Sequence, residues 1–209
     1  MNLENQKKSV EWIAELKSIA QNGLAYSKDS FDLDRYAQLE KLCVALASNL
    51  SSLGEEKITE LFSHDTGYAT PKIDVRGALF KNDKIMLVRE NSDSLWTVPG
   101  GWADVNESPS EAVEREVIEE TGYKTKAIKL IALYDKLKQE HPIQLPHTYK
   151  CFFLCKIVCL KGLPDKEISE IGFFAQNKLP PLSMKRVTPK QIARCFAHYQ
   201  NFDLPSEFD

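Results

Sequence analysis

No stretch of this sequence is apolar enough, for long enough, to cross a bilayer. The longest strongly apolar run, Cys151 to Leu160, is broken by Lys156 and falls well short of the ~20 residues a spanning helix requires. An apolar signal region is lacking too: Met1 to Lys8 is polar and leads into an amphipathic pattern, so a cytoplasmic chain with no membrane partner is expected. There is no surplus of positive charge. Lys and Arg number 27 against 30 Asp and Glu, for a net charge of −3, which offers no bulk attraction to nucleic acid or an anionic membrane. Cysteine is sparse, with five in 209 residues. Three of them, Cys151, Cys155 and Cys159, share one strand face, and neighbours stand about 13 Å apart. That spacing excludes a disulfide or a shared metal and reads as buried, reduced thiols.

What is present fits one ordinary domain preceded by a small one. Residues 2 to about 65 carry helix-period stripes. Val10, Ile13, Ala14, Leu16 and Ala20 form the first, and Asn22-Gly23 reads as its stop. Tyr36, Leu39, Leu42, Cys43, Leu46 and Leu50 form the second, with Asp32 or Asp34 as candidate cap, and a short third helix covers Glu55 to Phe62. Up to Thr70 there are seven Lys and Arg against eleven Asp and Glu, a net of −4, which argues against a DNA-binding module. Three short helices cannot bury these stripes alone. A docking or homodimerisation domain over residues 1–66 is therefore expected, with the linker at Gly67 to Pro71.

Beyond the linker the period changes to two. Ile73, Val75, Gly77 and Leu79 alternate with Asp74, Arg76, Ala78 and Phe80, and Asn82-Asp83 turns into a returning strand, Lys84 to Glu90. Trp96 to Val98, Tyr123 to Lys136, Thr148 to Leu160 and Ile171 to Ala175 read as further strands. Pro189 to Tyr199 reads as a helix capped by Thr188.

The chain is organised around Gly100 to Tyr123. Ser108, Pro109 and Glu111 form a capping box with Pro at the first helical position, and Gly122 is a stop. The helix between them has about three and a half turns, roughly 20 Å of rise. Glu116, Glu119 and Glu120 crowd one face at i, i+3 and i+4. Arg115 precedes them and can pair with Glu111 or Glu119. A bare E-x-x-E-E is an acidic solvated face. Beside a Gly-Gly corner that lets backbone approach closely, the same carboxylates make an all-oxygen site for a hard divalent cation.

This stretch resembles the Nudix box, G-x5-E-x7-R-E-U-x-E-E-x-G-U with U a bulky aliphatic. Gly101, Glu107, Arg115, Glu116, Glu119, Glu120 and Gly122 match every fixed identity, and Val117 matches the first U. Tyr123 departs from the last, a packing position. The resemblance implies an α/β/α sandwich with a mixed sheet over residues 67–209. It also implies Mg²⁺-dependent hydrolysis, Mn²⁺ substituting, of a nucleoside diphosphate linked to another moiety. Gly101, Glu116, Glu119 and Glu120 are the implied metal ligands, with Glu119 the alternative base. Arg115 orients a box carboxylate, and Glu107 supports the helix start. An acid from outside the helix is often needed in this family, and Glu167 or Glu170, on the loop before the last strand, is within reach. His141 or His147, in the loop from Lys138 to His147, is a further candidate base or phosphate ligand. Each of these also has a plain reading as a solvated loop residue.

The similarity extends to a subset of the family with a small helical front domain, the CDP-choline pyrophosphatases among them. Arg76 is expected to bind the substrate diphosphate or to pair with an acid. Trp96 and Trp102 flank the Gly-Gly corner and stack a base, cage a quaternary ammonium, or pack the core. CDP-choline, giving CMP and phosphocholine, is the leading substrate expectation, and ADP-ribose the runner-up. An exoribonuclease taking a short RNA end at the same metal site is disfavoured by the acidic surface. A non-catalytic binding protein on this scaffold would have lost box carboxylates, and none is lost.

Overall fold

The computed structural model describes residues 3–51, 53–63, 65–142 and 146–209. The chain divides into two compact units. One runs up to Pro71 and also takes in the short stretch before Thr148; the other comprises Lys72–Pro142 and Thr148–Asp209.

The first unit holds three helices, α1 (Leu3–Tyr26), α2 (Ser30–Leu50) and α3 (Glu55–Ser63). Its core gathers Ile13, Cys43, Val44, Ala47 and Ile58. Two sequence expectations are corrected. Helix α1 runs through Asn22-Gly23 to Tyr26, and a Cβ at Gly23 would lie 2.3 Å from the Tyr36 ring. This glycine admits a neighbouring helix rather than stopping its own. The cap of α2 is Asp29, whose side chain accepts from the Asp32 backbone N–H, so neither Asp32 nor Asp34 serves. Of the second stripe, Leu42 and Leu46 remain exposed. Among the described residues no helix is long and apolar enough to cross a membrane.

The second unit is a mixed sheet with a helix on each face, the sandwich expected. Its strands are β1 (Lys72–Lys81), β2 (Lys84–Glu90), β3 (Trp96–Thr97), β4 (Tyr123–Asp135), β5 (Thr148–Leu160), β6 (Ile168–Phe174) and β7 (Glu207–Phe208). The order is β3-β2-β1-β5-β4-β7, with β6 paired to β2. β1 runs parallel to β5 and antiparallel to β2. Helix α4 (Pro109–Thr121) packs Val113 and Val117 against Val75, Leu79 and Cys155 on one face. Helix α5 (Pro189–Gln200) packs Ile192, Cys195 and Phe196 against Ile85, Leu87 and Phe152 on the other. Gly77 sits under α4, where a Cβ would come within 2.7 Å of Val117.

All five cysteines are free thiols, but Cys159 is exposed, because the end of β5 runs past the core into the pattern Val158, Cys159, Leu160, all outward. Burial pushes Cys155 and Cys195 up to about 12. Strand β6 begins three residues earlier than its apolar run suggests. It therefore takes Glu170 into a strand, paired with Arg89, rather than leaving it on a loop.

Candidate active site

Local chemistry sets α4 as its sequence reads. The Ser108 side chain accepts from the Glu111 N–H, while the Glu111 carboxylate accepts from the Ser108 N–H at 2.8 Å. Gly122 closes the helix at φ +72°, a left-handed conformation that suits glycine.

Arg115 is the hub of the exposed end. Its Nε and Nη2 donate to the two Glu107 oxygens at 3.0 and 2.7 Å. Its Nη1 donates to Glu116 Oε1 at 2.9 Å and Glu119 Oε2 at 3.0 Å, and Nη2 also reaches the Trp102 carbonyl at 3.1 Å. The expected pairing with Glu119 is present. Glu111 is instead consumed by the cap, and Glu107 takes its place. The hydrogen bonds from Arg115 hold Glu107 below the usual carboxylate range.

Two carboxylates turn to the Gly-Gly corner. Glu116 lies over Gly101 so closely that a Cβ there would meet its Oε2 at 2.7 Å. Glu120 Oε2 accepts the Gly100 N–H at 2.8 Å. Burial raises Glu116 above its ordinary value. Burial pushes Glu120 up to about 8, against the pull of Arg76 and with added repulsion from Glu116 and Glu90. Glu119 is half exposed and turned to Arg115. Gly100 stands at φ +139°, with no room for a side chain, since a Cβ would fall 2.0 Å from the Val75 carbonyl. The Gly101 carbonyl accepts from the Val75 N–H at 2.8 Å, which leaves it one lone pair for another partner.

Among the described residues no three His, Cys, Asp or Glu side chains converge as a ready-made metal cage. A cation here would be held by Glu116, Glu120 and backbone oxygen, with Glu119 swinging in. The donor set nonetheless fits a hard divalent ion: every donor is oxygen, and the two carboxylates at the corner carry charge that burial opposes.

The remaining expected residues are dispersed. Arg76 is buried and forks onto Asp74, Nε to Oδ1 at 2.7 Å and Nη2 to Oδ2 at 2.8 Å; the acid pairing is the alternative present. Trp96 is 8% exposed and packs edge-on against Phe174, so it belongs to the core. Trp102 is 48% exposed beside the corner. Glu170 is exposed and meets Arg89 at 3.5 Å, and exposed Glu167 gives its carbonyl to the Asn91 N–H at 2.9 Å. His147 is half-buried and grouped with the first unit. His141 is tied by Nδ1 to the Met184 carbonyl at 2.8 Å and by Nε2 to Gln191 Nε2 at 3.0 Å.

Glu90, an acid from outside the helix, adds to the repulsion on Glu120 and is held by Arg186 Nε at 2.7 Å. Arg186 also donates to Asp93 at 2.9 Å, which accepts the Ser183 hydroxyl at 2.7 Å. Nothing local in the sequence marks this group, because residues 90–93 and 183–186 meet only in the fold.

Comparisons with known proteins match both parts of the chain to known domains. Residues 71–195 match the model of the NUDIX domain, and residues 7–62 match that of a UDP-X-like, N-terminal oligomerisation domain. A putative ADP-ribose pyrophosphatase, YjhB, of Bacillus subtilis is 42% identical over 98% of both chains. A crystal structure of a UDP-X diphosphatase is 33% identical, covers 98% of this chain and 99% of its own, and superposes with a TM-score of 0.63. An ADP-ribose pyrophosphatase structure from Streptococcus suis is 39% identical, with a TM-score of 0.61, and covers 67% of this chain and all of its own.

Proposed function

Since this chain belongs to the Nudix hydrolase family, we propose that it is a pyrophosphohydrolase for a nucleoside diphosphate joined to a sugar, with ADP-ribose the first substrate to test. The observation that carries the reading is the Gly100–Gly101 corner, where Glu120 accepts the Gly100 N–H at 2.8 Å and half-buried Glu116 lies over Gly101. The substrate class follows the full-length relative, whose name is that of an ADP-ribose pyrophosphatase.

When bound, Mg²⁺ neutralises phosphate oxygens and acidifies a water. On this reading Glu116, Glu120 and the Gly101 carbonyl would hold it, and Mn²⁺ would serve in its place. Arg115 fixes Glu116 and Glu119 at once, so losing its fork would misplace both. Glu119 is exposed enough to take the proton of an attacking water. The water oxygen bonds one phosphorus, the bridging oxygen leaves with the other, and both products keep a phosphate: AMP and ribose 5-phosphate from ADP-ribose. Glu90 flanks Glu120 as the carboxylate from outside the helix. On this reading Trp102, half exposed beside the corner, stacks a base.

CDP-choline is the second reading, and exposed Trp102 is what favours it. A quaternary ammonium prefers several aromatic faces, however, and Trp96 is spent in the core. We place the protein in the cytoplasm, where five free thiols are ordinary. A panel of ADP-ribose, UDP-sugars and CDP-choline with Mg²⁺ and Mn²⁺, scored by product identity, tests the assignment. Release of inorganic phosphate as the first product would overturn it.

A further inference from the structure

The segment that carries the Gly-Gly corner is fastened by its alternate backbone groups. On the side of β1, the Pro99 and Gly101 carbonyls accept from the Gly77 and Val75 N–H groups, each at 2.8 Å, and the Ala103 N–H donates to the Ile73 carbonyl at 3.0 Å. Successive backbone groups of an extended segment point to opposite edges. The groups of Val98, Gly100 and Trp102 are therefore turned away from that edge, and a charged side chain meets each of the three residues. Arg115 Nη2 donates to the Trp102 carbonyl at 3.1 Å. Glu120 accepts the Gly100 N–H at 2.8 Å. Arg76 Nη1 donates to the Val98 carbonyl at 3.2 Å, where the Thr97 hydroxyl is a second donor at 3.3 Å.

Arg115 and Glu120 already belong to the site; Arg76 is the third member of this set and has no part in the scheme above. It lies in a buried cluster. Asp74 stands opposite Lys150 in the β1–β5 register. Its two oxygens take Arg76 Nε at 2.7 Å and Nη2 at 2.8 Å, and Lys150 donates to Oδ1 at 2.8 Å. Arg76 is 4% exposed, so its planar fork is fixed by Asp74 on one side and points Nη1 at Val98 on the other. A lysine, a point charge on a flexible stem, cannot reproduce that double contact. Gly100 rests on the Arg76 backbone itself: a Cβ there would lie 2.9 Å from the Arg76 Cα. The charge of Arg76 also attracts Glu120.

We infer that Arg76 is a positioning residue for the corner: locked by Asp74, it sets the Val98 carbonyl and, through the two residues that follow, the Gly100 N–H and the Gly101 carbonyl against Glu120 and Glu116. It acts from the closed end of the segment as Arg115 does from the open end. Arg76 touches no substrate, which replaces the expectation that it binds the diphosphate. Its effect on turnover rests on the hydrolase reading; its hold on the corner does not.

The test compares Arg76→Lys with Lys150→Met in the full chain. Both variants remove a bond to Asp74 and leave that carboxylate one partner, so both should fold. Only Arg76→Lys gives up the Val98 contact. With ¹⁵N on glycine alone and no metal present, it should move the Gly100 and Gly101 amide signals and speed hydrogen exchange at Gly100, while Gly54 and Gly162 stay in place. Calorimetric titration with Mn²⁺ should show binding weakened by about 10–100-fold, the scale for losing a group that orients metal ligands. In turnover kcat should fall by a similar factor with KM near wild type. Lys150→Met should leave the corner signals, Mn²⁺ affinity and kcat near wild type, whatever it does to Tm. Should Arg76→Lys unfold, Arg76→Gln carries the same comparison, and failure of both to fold would make Arg76 a residue of the fold alone and overturn the inference. Unmoved corner signals with unchanged Mn²⁺ affinity, equal losses in Lys150→Met, or a raised KM with kcat spared would each overturn it as well, the last by making Arg76 a substrate contact. If the corner signals and Mn²⁺ affinity respond as expected while wild type cleaves no nucleoside diphosphate derivative, the hydrolase reading fails and the positioning role stands. If wild type cleaves and Arg76→Lys behaves as Lys150→Met does, the reverse holds.

Discussion

Glu120 and Gly100 lie twenty residues apart, yet the carboxylate of one accepts the backbone N–H of the other at 2.8 Å. One bond thus locks the helix that carries the acids to the corner that precedes it. Glu120→Gln keeps an oxygen for that bond, along with the cap and the apolar face of α4. The variant should fold with near-wild-type Tm and lose about 10²–10³-fold in kcat, the scale for deleting one electrostatic contact to a reacting centre. Near-wild-type turnover at saturating Mg²⁺ would remove Glu120 from the site.

Gly100→Ala should be far more damaging to the fold. Its φ of +139° is a region that side chains rarely adopt, and the added Cβ would sit 2.0 Å from the Val75 carbonyl, a backbone atom that cannot step aside. A loss of about 3 kcal/mol or more is expected, read by denaturant unfolding. Gly162→Ala, which meets nothing within 4 Å, should be close to neutral.

Helix α4 was legible because its signals are local: Ser108 with Glu111, Pro109, Gly122, and the i, i+3, i+4 acids all lie within one element. The strand alternation around Val75 and Leu79 was legible for the same reason. What sequence could not supply is register. Only the pairing of β1 with β5 sets Lys150 against Asp74. Gly23 reads as a stop until Tyr36 is found on it. Glu207-Phe208 pairs with β4 as a two-residue strand, too short to leave a period. Glu170, expected on the loop before β6, lies within that strand opposite Arg89.

The buried cluster makes its own stability prediction. Asp74 is the buried carboxylate that accepts from both Arg76 and Lys150, the latter at 2.8 Å, and Asp74→Ala removes it from both. Breaking a buried pair from one side costs about 3–5 kcal/mol, so this variant should be strongly destabilised in urea. Lys150→Met should cost less, because Arg76 keeps its bidentate bond to Asp74. Equal losses would show that the two cations do not compete for one anion.

His141 should give a pH-dependent term. Its Nδ1–H donates to the Met184 carbonyl and its Nε2 accepts from Gln191, so protonation would cost the ring its acceptor. Burial, reinforced by Lys150 and Lys136, pushes its pKa down from 6.5 to about 4. The unfolded chain therefore takes up the proton first. The contribution is fully present above pH ~6.5 and is lost as pH falls toward 4. Allowing for the ring's partial exposure, it amounts to about 2 kcal/mol. The quantity to measure is the stability difference between wild type and His141→Gln. That difference should shrink between pH 6.5 and 4.5; a flat difference would mean that the imidazole titrates normally.

Oligomeric state is the last prediction. The first unit leaves Trp12, Phe31 and Leu42 at 60, 70 and 61% exposed, with Ile19, Leu46 and Leu61 nearly half exposed. So many large apolar side chains on three helices are a poor surface for a monomer. Residues 7–62 also match an oligomerisation domain. We propose a homodimer formed through residues 1–66. Light scattering at micromolar concentration should give about twice the chain mass of 23.8 kDa. Leu42→Glu places a charge on the exposed stripe of α2 without touching its buried residues Cys43, Val44 and Ala47. It should shift the equilibrium to monomer while α4 and its acids stay folded. A wild-type monomer at that concentration would mean that the apolar stripes are covered by something other than a second copy.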